Sequence, residues 1–212
     1  MMDTESLIRT LAQDKADTVP MPRAWALAAG IAAIIAAAVF WISIGPRPDI
    51  ADAAGTVRVL FKFVATLSLF ATALWALTAL ARPGADARAI LPALLVAPSL
   101  LLVAVGMEFM AIPADQIGSR WLGNNSIVCM TSIPLIGIGP LAVFLLALRH
   151  GAPTAPSVSG ALAGVVAGGL AATFYAAHCA DDSPLFVATW YTLAIALLAL
   201  AGAFAGRVVA RW

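Results

Sequence analysis

Apolar residues fall in six long runs along the chain, at 24–44, 58–81, 89–111, 126–148, 158–179 and 185–206. Each is long enough to cross the hydrocarbon core of a bilayer, which takes about 20 residues of helix. The polar gaps between them are short and rich in turn formers: "GPRPDIADAAG" at 45–55, "RPGADAR" at 82–88, "PADQIGSRWLGNN" at 113–125, "RHGAPTAPS" at 149–157 and "ADDS" at 180–183. None is large enough to be a domain. The pattern predicts an all-α fold, an integral membrane bundle of six transmembrane helices over 23–212, preceded by a tail over 1–22. The first run is too long for a signal peptide, and the segment before it, with Asp3, Glu5, Asp14 and Asp17, is too long and too acidic, so it reads as a retained helix.

Composition agrees with the pattern. With 62% hydrophobic and 11% charged residues in 212 and a mean hydropathy of +0.97, the chain is far more apolar than a soluble domain of this size. Twelve basic residues against eleven acidic ones leave no basic surface for nucleic acid, and no phosphate-cradling glycine loop or paired zinc-ligand motif occurs. The basic residues do set an orientation. With the N-terminus inside, the cytoplasmic side collects eight of them (Arg9, Lys15, Arg23, Arg82, Arg88, Arg149, Arg207, Arg211), and the exterior keeps four (Arg47, Arg58, Lys62, Arg120). This asymmetry predicts that both termini are cytoplasmic.

The sequence has two cysteines. In the predicted topology Cys129 lies about one turn into the fourth helix and Cys179 in the last turn of the fifth, so both are expected near the outer surface on adjacent helices. Gly160, Gly164 and Gly168 give the fifth helix a small-xxx-small face that admits another backbone closely. At 100° per residue, Gly168, Ala172, Tyr175 and Cys179 share a face, which turns Cys179 toward a neighbouring helix. His178, Glu108, Asp181 and Asp182 are further groups with metal-ligating chemistry nearby, and an ionisable residue in a span is a functional candidate by default. Plainer roles stand beside these: packing for the cysteines, solvation at the interface for the acids, and capping of a helix C-terminus for His178. If the cysteines are functional, three chemistries suit them: a static clamp, a thiol–disulfide switch, or a transient soft-metal site with no obligatory cofactor.

The tail offers a different kind of feature. Residues 4–13 read as a short amphipathic helix with Leu7, Ile8 and Leu11 as its apolar strip and Asp3 or Thr4 as its N-cap. Its acidic character suits a groove in a partner with a basic surface; the alternative is a helix lying on the membrane. A small-molecule or metal transporter is the rival reading of the whole chain. It rests on breaks expected at Pro134, Gly137, Gly139 and Pro140 in the fourth run and at Pro92 and Pro98 in the third, and it lacks charged mid-depth residues and an evident inverted repeat. A thiol oxidoreductase would need a Cys-x-x-Cys pair or a second pair, and neither is there. The chain is not expected to be an enzyme.

Several segments together resemble one family: "DTESLIRTLAQD", "RPD" at 47–49, "WALTALARPG" at 75–84, "VCMTSIP" at 128–134, "ALRHGAPT" at 147–154 and, most specific, "HCADDSPLFVATWY" at 178–191. Over nearly its full length the chain resembles the six-helix membrane anti-sigma factors of the negative-regulator-of-sigma-F (NrsF) type. The resemblance implies a protein that sequesters an extracytoplasmic-function sigma factor at the inner membrane and releases it under heavy-metal or oxidative stress. It also implies that Cys129 and Cys179 are the residues on which the stress acts.

Overall fold

The computed structural model describes residues 3–6, 8, 21–82, 84–85, 87–151 and 153–209, without the side chains of Ala87 and Leu91. The six apolar runs are six helices long and apolar enough to cross a membrane. We label them α1 (Met21–Ser43), α2 (Val57–Leu80), α3 (Arg88–Ala111), α4 (Ser126–Leu148), α5 (Pro156–Ala176) and α6 (Pro184–Val209). The connections 45–56, 112–125 and 177–183 meet at one end of the bundle, where Arg47 bonds the 177–183 segment and Gly123 abuts Asp181 and Phe186. Met21, Ala81 and Gly151 meet at the other. In the tail, Ser6 N–H donates to the Asp3 carbonyl at 3.1 Å in a helical turn, and Ile8 is exposed. Leu7 and Leu11 lie outside the described residues.

α5 is the axis of the bundle. Its Gly160 and Gly164 lie directly against the backbone of α6 at Gly202 and Leu198, with no room for a Cβ on either. Lipid gives no hydrophobic drive for helix pairing, so such close backbone packing supplies the attraction that water would supply in a soluble core. Gly168 also faces α6, through Ile195. α2 and α4 flank α5, and α1 packs on α4. α3 sits at the periphery against α2, and its outward face leaves Leu102, Val103, Met107 and Met110 exposed.

Helix interruptions fall at one of the two proline pairs and not at the other. α4 runs unbroken through Pro134 and Pro140, which neighbouring helices make tolerable in a membrane. The break expected there as a transporter signature is therefore absent. α3 does break, at Leu95 between Ala87–Leu94 and Val96–Ala111: Pro92 and Pro98 each remove an N–H from the ladder, and Leu95 N–H turns back to the Pro92 carbonyl at 3.3 Å. α6 opens with Ser183 as its N-cap and Pro184 at the first position, then widens into a π turn at Val187–Tyr191.

The end of α5 differs from the expected one. The helix stops at Ala176, so Cys179 lies three residues beyond it rather than in its last turn. The chain tightens as it leaves, with Ala177 N–H on the Phe174 carbonyl and His178 N–H on that of Tyr175. The next carbonyls are turned toward Arg47 and Lys62 and so are not available to another helical turn.

Candidate functional site

The segment 177–183 has no regular structure of its own and is held by every neighbour around it. Arg47 N–H donates to the Ala177 carbonyl at 3.0 Å. His178 Nδ1 lies 2.8 Å from the Gly45 carbonyl, and since a carbonyl only accepts, that nitrogen carries the proton. Lys62, in the second turn of α2, has no exposed surface; its Nζ donates to the Cys179 carbonyl at 2.8 Å and pairs with Asp182 at 2.5 Å. Arg47 pairs with Asp182 at 3.1 Å and with Asp49 at 2.7 Å. An ammonium buried without partners would be prohibitive, so the segment and Lys62 need one another.

Asp181 closes the segment onto α4. One carboxylate oxygen accepts from Asn124 N–H at 3.0 Å, Asn125 N–H at 2.8 Å and Asn125 Nδ2 at 2.9 Å. Asn125 offers α4 no cap through its own side chain, so a carboxylate from another part of the chain takes that place at the positive end of the helix. The turn before it depends on Gly123, whose φ of +58° lies in the left-handed region and whose missing side chain leaves room for Phe186 and Asp181. Farther out, Glu108 is buried between Arg58 at 2.9 Å and Arg120 at 3.2 Å, and Ser183 Oγ donates to it at 3.3 Å. A polar cleft of about 450 Å³, walled by Arg58, Arg120, Asn124, Asp181 and Asp182, lies over this layer.

Beneath it sit the thiols. Cys129 and Cys179 are free, and neither has exposed surface. They lie within electrostatic range of each other and of Asp181 and Lys62. Tyr175, also fully buried, donates its hydroxyl to the Asn125 carbonyl at 3.5 Å and lies within electrostatic range of both sulfurs. The Tyr191 hydroxyl finds no nitrogen or oxygen partner among the described residues and lies beside the same two cysteines. Burial pushes the Cys179 thiol up from its ordinary value, against the Lys62 ammonium and a hydrogen bond to the Asp181 backbone, which pull it down. The thiol is thus neutral and slow to react at neutral pH. Outside the spans, the hydrogen bond from Arg47 holds the Asp49 carboxyl down at about 2.

Cys129 and Cys179 lie within electrostatic range of each other and of Asp181, whose carboxylate accepts from Asn124 and Asn125. Glu108 pairs with two guanidinium groups, and His178 donates its Nδ1 proton to Gly45. Among the described residues no group of three or more His, Cys, Asp or Glu side chains is placed to hold a metal ion. Sequence reasoning missed Arg47 and Lys62 as site residues because both entered only as topological charges; a lysine six residues into an apolar helix was the available sign.

Comparison with known proteins decides the family. Residues 11–212 match the family model described as NrsF, negative regulator of sigma F. The chain belongs to the NrsF family. It is 33% identical over 214 residues to the anti-sigma-F factor NrsF of Caulobacter vibrioides (strain NA1000 / CB15N), with both chains covered completely. It is 31% identical over 221 residues, again with complete coverage of both, to the probable anti-sigma-F factor NrsF of Azospira oryzae (strain ATCC BAA-33 / DSM 13638 / PS). No solved structure matches this NrsF-family chain. The family is one of regulators that act on a sigma factor, and a transporter reading finds no support in it.

Proposed function

We propose that this protein holds an extracytoplasmic-function sigma factor, of the sigma F kind, at the inner membrane, and releases it when a soft metal ion or an oxidant joins Cys129 to Cys179. The reading has the thiol end facing the exterior and both termini in the cytoplasm, as the distribution of Lys and Arg favours. The observation that supports it best is the burial of both cysteines at one non-helical segment that is bonded to the connection between α1 and α2, to α2 itself and to the start of α4, and that leads into α6. A change at the thiols therefore has mechanical access to most of the bundle.

Cadmium would form two sulfur–metal bonds as two thiol protons leave to water; a disulfide-forming oxidant would instead take up two electrons and two protons as the sulfurs join. Either product draws the two sulfurs into one fixed geometry. The sigma factor is held in the cytoplasm by the tail, through Leu7, Ile8 and Leu11.

The test is association of the full-length chain with the sigma F factor of the same organism, measured by co-purification from membranes with and without cadmium or diamide. Association without inducer, lost on treatment and retained in Cys129→Ser and Cys179→Ser chains, is the expected result. Full release from both single variants would remove the cysteines from the mechanism.

A further inference from the structure

Lys62 is a fully buried cation in a membrane helix, and its ammonium does not meet side chains alone. It donates at 2.8 Å to the backbone carbonyl of Cys179 and pairs with the Asp182 carboxylate three residues on. Arg47 supports the same two groups, at 3.1 Å from Asp182 and 3.4 Å from the Cys179 carbonyl. Packing alone does not call for a charge here, since a methionine fills similar space and apolar replacements of buried ion pairs are often neutral or stabilising. What an apolar side chain cannot supply is a directional hold on the backbone of Cys179. On the other side of the thiols, Cys129 is fixed within a helix whose start is capped by Asp181. When the two sulfurs are joined, the non-helical backbone at Cys179 is the part free to shift.

We propose that Lys62 is a positioning residue for the thiol switch: it holds the Cys179 backbone in the arrangement that retains the sigma factor, and bridging the cysteines draws that carbonyl away from the ammonium. The proposal rests on the cysteine reading above and adds the route by which the thiols reach α2. Loss of the Lys62 contact stands for the induced state.

The experiment uses full-length chains in cells, with transcription from a sigma F-dependent promoter read with and without cadmium and the amount of protein in the membrane measured in parallel. Lys62→Met should raise uninduced transcription at least about five-fold, the lower range of an allosteric coupling, and cadmium should add nothing further. Lys62→Arg keeps a cation that reaches Asp182 and should restore both repression and induction, which a requirement for side-chain volume alone would not produce. Adding Lys62→Met to a Cys129→Ser/Cys179→Ser chain should leave transcription on, because the lysine acts after the thiols. If Lys62→Met fails to reach the membrane in normal amount, Asp182→Asn replaces it, with the same expected rise. Normal repression and induction in an inserted Lys62→Met chain would overturn the proposal, and so would a rise that Lys62→Arg does not reverse. A cysteine-free chain with Lys62 intact that still responds to cadmium would overturn the cysteine reading and this proposal with it, whereas normal repression and induction in an inserted Lys62→Met chain overturn this proposal alone.

Discussion

Replacing Asp181 separates its two candidate roles. As a metal co-ligand it would matter only when metal is bound, whereas as the cap of α4 it matters in the resting protein. One oxygen accepts three donors, at 2.8, 2.9 and 3.0 Å, two of them backbone N–H groups at the start of α4. A hydrogen bond to a charged group contributes about 1.5–3 kcal/mol net, and loss of a cap costs about 0.5–2 kcal/mol. Three bonds to one half-buried oxygen do not add, and water recovers part of the loss. Asp181→Ala should therefore destabilise by about 2–3 kcal/mol, and Asp181→Asn, which keeps an acceptor oxygen, by about half of that.

The cost should appear first where the cap acts. Cys129 N–H donates to the Asn125 carbonyl at 2.8 Å, so unwinding the first turn of α4 uncovers Cys129. If alkylation proceeds through that local opening, 2–3 kcal/mol corresponds to about 30- to 140-fold faster reaction, at 1.4 kcal/mol per tenfold. The assay is the maleimide labelling rate of a Cys179→Ser background in detergent without metal, with and without Asp181→Ala, alongside denaturant unfolding. A labelling rate unchanged within about threefold would refute the cap argument and return Asp181 to metal binding.

Other consequences can be checked in the same preparations. Glu108→Ala should cost about 1–2 kcal/mol in unfolding, a modest figure because Arg58 and Arg120 keep access to water; no loss would mean the pairs contribute nothing. Gly164→Leu places a side chain against the α6 backbone and should cost at least about 3 kcal/mol, seen as loss of protease-resistant protein in the membrane. The Cys179 thiol titrates above its unfolded value of 9.0, so its contribution to stability is complete below about pH 9 and is lost as pH rises beyond that through the higher folded value; a chain equally stable at pH 8 and pH 10.5 would contradict this, provided a Cys179→Ser control reports the background. Replacing Leu7, Ile8 and Leu11 together with Asp should release the sigma factor without affecting insertion, since each buried aliphatic side chain is worth about 1.5–3 kcal/mol; unchanged co-purification would move the contact to the loops at 82–88 and 149–157.

The helices were legible in the sequence because the bilayer imposes a length and a composition that little else imitates, and all six runs coincide with helices to within a few residues. The glycines at 160 and 164 were legible as a close-approach face, although the partner, α6, was not: spacing says that a backbone comes near but not which one. Ends and charges were harder. The apolar run through 179 hides the end of α5 at Ala176, since the carbonyls just past that end, of Ala177 and Cys179, are taken by Arg47 and Lys62, both more than 100 residues earlier in sequence. For the same reason the partners of Glu108 and His178 did not show in the sequence. A lone acid or imidazole near a thiol has no visible partner in sequence, while in space two guanidinium groups and a carbonyl engage them.

The position of α5 also bears on how a change at the thiols could travel. A lever in which bridging tilts α4 against α5 and displaces the loop at 149–157 requires α5 to move as a rod. α5 is packed against α6 with its glycines touching backbone, and against α2 and α4 on its other sides. Tilting it would disturb each of those contacts at once, and close-packed interiors resist that. The segment 177–183 carries no such constraint: it is non-helical and held by discrete bonds to Gly45, Arg47, Lys62 and Asn125. Exchanging one set of bonds for another costs far less than shearing a helix interface. The displacement should therefore run through this segment into α1 and α2, and α1 is the helix that follows the tail directly. Spin-label pairs joining the Met21 end of α1 to α5, and the loop at 149–157 to α6, would decide between the two routes. Cadmium should change the distance from α1 to α5 while leaving that from the loop to α6 unchanged, and the reverse pattern would restore the lever.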